Sequence, residues 1–177
     1  MGIVLPSKIE EILEDFLWQI PLNSQSFVYR DSIGSTQYEI LVKGQFPDGF
    51  PRKLQKALTD IKENNLSKYH EILTITKKIK VGRDMGKTES GLRVIGHAIP
   101  SAGVMYLDGE YFKNSEIWDL SQIIYHETKH LEGLDEHSAL RSEFDYFDDM
   151  IMATHPEIKE LILKLRKEGK RKIYSRI

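Results

Sequence analysis

Residues 123–144 read IIYHETKHLEGLDEHSALRSEF and carry three of the chain's six histidines, interleaved with carboxylates. Upstream, Ile117, Leu120, Ile124 and Leu131 recur at helical spacing, and Asn114 or Ser115 can cap the helix they predict. His126 and His130 are four residues apart, so on that helix they project from one face. Gly133 predicts a left-handed helix end, and Asp135 predicts the cap of a second helix with Leu140, Phe144, Phe147 and Ile151 as its buried stripe. Two helices joined by a tight reversal, with histidines on one and carboxylates on the other, are the feature around which the rest of the chain is read.

The string formed by His126, Glu127 and His130 is H-E-x-x-H. Two neutral imidazoles at i and i+4 hold zinc without backbone strain, and the glutamate stays free to take a proton from a metal-acidified water. A catalytic zinc needs a third protein ligand. Glu136 is the first choice, because it opens the second helix on the metal side, with His137 and Glu143 as substitutes. If Glu136 ligates, Glu143 is placed to orient a ligand histidine from behind. The expected cofactor is one Zn2+ per chain.

The remaining chain supplies the frame. A capping box of Ser7 and Glu10 opens a helix over PSKIEEILEDFLWQIP, with Ile9, Leu13, Phe16 and Ile20 on its apolar stripe. Residues 26–44 predict a β-hairpin, and RKLQKALTDIKENN a helix with Leu54, Leu58 and Ile61 on one face. HEILTITKKIKVG predicts a β-rich stretch, from Leu73, Ile75, Ile79 and Val81 on alternate positions. LRVIGHAIPSAGVMYLDG predicts two short strands broken at Pro100, and the chain from Ser115 on reads as helices, broken at Gly133 and around His155-Pro156. This order predicts one α+β domain over residues 1–177, with a small sheet, a site-bearing helix and a following helix pair.

Composition narrows the function classes. A chain of 177 residues is long enough to bury a core without staples, and it contains no cysteine, so a metal must be held by histidine and carboxylate. A formal charge of −2 argues against a whole-molecule field for nucleic acid. The basic tail KLRKEGKRKIYSRI lacks the interleaved aromatics of a single-strand platform, and Gly82, Gly86 and Gly91 lack a phosphate loop's setting. His70 and His155 read as capping or surface residues, and His97 as a strand histidine near the site. The start lacks a signal-peptide core and no apolar run approaches the roughly 20 residues of a bilayer span. As encoded the chain is expected to be cytoplasmic, without membrane association, and open to export by another route.

Through residues 126–143 the chain resembles the zincin metallopeptidases. Residue by residue, His126 and His130 match the ligand histidines and Glu127 the general base. Gly133 and Glu136 fall at the spacing of the metzincin string, whereas a glutamate ligand, and Glu136 with Ala139 as E-x-x-A, resemble compact gluzincin-like proteases and toxin domains. Met150 and Met152 do not form a Met-turn, and the gluzincin-like likeness is preferred. The resemblance implies hydrolysis of peptide bonds in a protein or peptide substrate by a bacterial or phage protease, effector or toxin domain. It also implies a substrate-aligning strand before the zinc helix, for which AGVMYLDGEYF is the candidate. Tyr146, Arg141 and His137 are the candidate oxyanion contacts, and His97 a candidate substrate contact. The rival readings are a zinc-stabilised binding module without catalysis, and a metal-free interaction protein using the basic tail.

Overall fold

A computed structural model of the chain describes residues 7–21, 23–83, 91, 93–154 and 156–167. The Ser7 side chain, Gly86, His155 and the basic tail beyond Lys167 fall outside these residues. The two strands of the hairpin, β1 (Gln25–Ile33) and β2 (Thr36–Gly44), pair antiparallel through a two-residue turn in which Gly34 takes a φ of 60°. That left-handed geometry is the one a tight hairpin needs and a glycine supplies. Three further strands complete the sheet: β3 (Lys78–Gly82), β4 (Gly96–Ile99) and β5 (Val104–Asp108). Their order is β1-β2-β3-β5-β4, with β2, β3 and β5 parallel and β1 and β4 antiparallel to their neighbours.

Between β2 and β3 run two helices, α2 (Phe50–Asn64) and α3 (Leu66–Ile75). The first buries Leu54, Leu58 and Ile61, as its periodicity predicts. The second corrects the expectation for HEILTITKKIKVG, because only Lys78–Gly82 is strand. Asn65 caps α3 by accepting from the Lys68 N–H at 3.1 Å, and Tyr69, Ile72 and Leu73 then bury at helical spacing. The apparent alternation spans a helix end abutting a strand. Inward-facing Ile40, Val42, Ile79, Val81, Met105 and Leu107 of the sheet form one core with these helices.

After β5 come α4 (Gly109–Asn114), α5 (Ile117–Leu131), α6 (Glu136–Thr154) and α7 (Lys159–Lys167), the last preceded by a 3₁₀ turn at Pro156–Ile158. Leu120, Ile124 and Leu131 bury α5 in the same core. Its cap is Glu116 rather than Asn114 or Ser115, in a reciprocal capping box with Asp119. The buried face of α6 runs through Ala139, Glu143, Tyr146 and Phe147, whereas Leu140, Phe144 and Ile151 are only half-buried. Met150 and Met152 lie within α6.

The N-terminal helix, α1 (Ser7–Leu17), sits against the opposite face of the sheet with its polarity reversed. Its stripe of Ile9, Leu13 and Phe16 faces solvent, contrary to the expected burial. Its acidic side takes the seat, with Glu11 Oε1 2.7 Å and Asp15 Oδ1 2.5 Å from Lys80 Nζ. Lys80 points out of β3 on this face and is buried, so it must be paired where it lies. Burial works against ionised Glu11, but Lys80 and Lys78 outweigh it and hold its carboxyl below the usual range. Trp18, buried with Ile99, Val104 and Tyr106, fixes the helix end. Among the described residues no helix is long and apolar enough to cross a membrane.

Candidate metal centre

The reversal after α5 brings the site together. Gly133 has a φ of 87°, its N–H donates to the His130 carbonyl at 2.8 Å, and the Leu134 N–H donates to the Lys129 carbonyl at 3.1 Å. This is the glycine-ended turn predicted from sequence. Asp135 then accepts from the Ser138 N–H at 2.8 Å and caps α6. The carboxylate of Glu136, the first residue of α6, lands over the histidine face of α5.

Three donor atoms converge there. His126 Nε2 and His130 Nε2 are 3.1 Å apart, and Glu136 Oε2 is 3.0 Å from His130 Nε2 and 3.6 Å from His126 Nε2. A tetrahedral zinc with bonds of about 2.0–2.1 Å spaces its donors about 3.3–3.4 Å apart. The triangle matches that spacing, and its chemistry is a catalytic zinc's two-histidine, one-carboxylate set. These are the residues among those described that group as a possible metal site.

The far nitrogen of each histidine is already committed. His126 Nδ1 lies 2.9 Å from Glu143 Oε2, and His130 Nδ1 lies 2.9 Å from the Leu134 carbonyl. Each acceptor favours the tautomer with the proton on Nδ1 and turns Nε2 toward the triangle. Glu143, buried beneath His126, contacts that ring from behind and stands outside the triangle. The Leu134 carbonyl was not foreseen, because a backbone acceptor leaves no signature in residue types.

Charge in the metal-free triangle follows from these contacts. Burial disfavours protonated His126, but Glu136 and Glu143 outweigh it and lift the imidazole to about 9. Glu136 also raises His130. The two histidines in turn hold the Glu136 carboxyl far below the usual carboxylate range.

Glu127 stands in a different environment. It is buried, and its Oε2 has no hydrogen-bond partner. Burial pushes its carboxyl up to about 7, against the pull of His126 and His130. Above the side chain runs β4, where a Cβ on Gly96 would stand 2.4 Å from Glu127 Oε1. Only a glycine lets the strand backbone come this close. Gly96 is the site residue that sequence reasoning missed. Its sole signal is a glycine within a short strand.

The other candidates are not part of the triangle. His97 follows Gly96, so strand alternation turns it to the opposite sheet face, where Nε2 is 3.5 Å from Glu14 Oε1. Tyr146 is buried against Tyr125 and Phe147, with ring centroids 4.7 and 5.3 Å away. Arg141 and His137 are exposed on α6. AGVMYLDGEYF forms β5 and α4, and β5 is paired on both sides, leaving no edge to align a peptide. The strand at that end of the sheet is β4. Comparison with protein-family models, curated proteins and solved structures finds no match for this chain.

Proposed function

We propose that the chain is a zinc-dependent peptidase of the compact zincin type, with His126, His130 and Glu136 as zinc ligands and Glu127 as general base. The observation that carries this reading is the donor triangle, with edges of 3.0, 3.1 and 3.6 Å and both histidines oriented from behind. Zinc bound there would polarise a scissile carbonyl and acidify a water. The chain's residues would do the rest. Glu127, with an unpartnered oxygen and a pKa raised to about 7, is suited to accept a proton from water and return it to the leaving amine. Exposure of Glu136 keeps the triangle open to solvent and substrate. Among the described residues nothing pairs with the outer edge of β4, whose backbone offers a peptide a place beside Glu127.

Replacing Glu127 tests the assignment. The expected result for Glu127→Gln is unchanged zinc content with peptide cleavage reduced by about 10²–10⁴-fold, read by mass spectrometry of a peptide library. Cleavage unaffected by the replacement would contradict the role of Glu127. A wild-type protein that holds zinc and cleaves nothing would favour the zinc-stabilised binding module.

A further inference from the structure

The reversed seating of α1 leaves a surface that the metal centre does not account for. Ile9, Ile12, Leu13, Phe16 and Leu17 recur at i, i+3, i+4, i+7 and i+8 and are all exposed, from 46% at Ile9 to 82% at Phe16. An amphipathic helix normally buries such a stripe. Here it cannot rotate inward, because its carboxylates are engaged by the sheet. Glu11 and Asp15 meet Lys80, Glu11 meets Lys78 at 2.9 Å, Glu10 accepts from Ser101 at 3.2 Å, and Glu14 faces His97. Turning the helix over would strip buried Lys80 of its partners and place apolar side chains on the lysines.

Val28 and Leu41 face each other across β1 and β2 and are also exposed. Leu41 is in parallel register with Lys78, so it lies on the same sheet face as the seat of α1. The stripe alone is on the order of 500 Å², near the top of what a monomer exposes. Two such stripes packed face to face would bury about 1,000 Å², the area a specific interface has to clear. No carboxylate of α1 lies on the outer seam, so it offers a charged groove nothing and sets no like charges against a copy of itself. Self-complementary, strongly apolar patches of this size are typical of homodimers. We infer that this face is the two-fold interface of a homodimer, with α1 packed against α1 of a second copy.

The experiment is sedimentation velocity on the full chain over about 1–100 µM, the range of a moderate dimer, with wild type beside Phe16→Glu. The wild type is expected to sediment as a dimer at the upper end. Phe16→Glu should weaken association by at least about 100-fold, the effect of removing a central anchor, with an unchanged urea midpoint at concentrations where both proteins sediment as monomers. A wild type that stays monomeric at the highest concentration overturns the inference, as does a dimer indifferent to Phe16→Glu. A fall in the urea midpoint of the variant at those monomeric concentrations also overturns it, since the face would then be covered within one chain. Flotation of monomeric wild type with neutral lipid vesicles would assign the face to a bilayer instead.

Discussion

Protonation of one imidazole would make zinc binding at the proposed centre pH-dependent. In the metal-free chain His126 stays protonated up to about 9, because Glu136 and Glu143 both face it. Zinc takes only the neutral ring, so an ion binding there at neutral pH would displace at least one proton. Apparent zinc affinity is expected to fall about tenfold for each pH unit from 9 down to 7, with proton release visible by calorimetry in buffers of different ionisation enthalpy. Affinity flat across that interval would contradict the charge arrangement. Without metal, protonated His126 also stabilises the fold below the ordinary histidine value of 6.5, and that contribution is lost as pH rises through about 9. What was legible at this scale was local. His126, Glu127, His130, Gly133, Asp135 and Glu136 lie within eleven consecutive positions, so helical geometry and one turn fix their relations. The Leu134 carbonyl and Gly96 act through the backbone, and residue types do not announce that.

At the scale of elements, the site depends on how closely β4 approaches α5. Gly96 permits the contact by lacking a Cβ, and an alanine would stand 2.4 Å from Glu127 Oε1 and 2.9 Å from its Cδ. Gly96→Ala is therefore expected to destabilise the chain by about 1–3 kcal/mol, the usual cost of overpacking. That cost should largely vanish in a Glu127→Ala background, where the space is free. Urea unfolding of the two singles and the double completes the cycle, and additive effects would show that Gly96 and Glu127 are not in contact. The elements misread from sequence fail for a related reason. Residues 70–75 carry Leu73 and Ile75 at alternate positions, in step with Ile79 and Val81, yet the Asn65 cap and the core contacts of Tyr69, Ile72 and Leu73 make them helix. The face that α1 would bury was legible as an amphipathic stripe, but its orientation was set by Lys78 and Lys80, more than sixty residues away.

For the molecule as a whole, the sheet holds the site by giving each partner a fixed place. β5, paired on both sides, leads through α4 into α5, and β4 folds back antiparallel to lie over Glu127. The α+β class, the hairpin and the two-helix reversal follow from patterns that repeat within a few residues. Strand order does not, because it depends on which segments meet after collapse, and so the stretch expected to align a substrate is an interior strand. One measurement bears most directly on the proposed zinc centre: metal content by mass spectrometry of protein purified without added metal or a histidine tag, wild type beside Glu136→Ala. The expected result is about one zinc per chain, lost or strongly weakened in the variant, since two histidines alone do not complete the set. Absence of zinc in the wild type even after reconstitution would contradict the account and leave the histidine cluster as the polar edge of a helix pair.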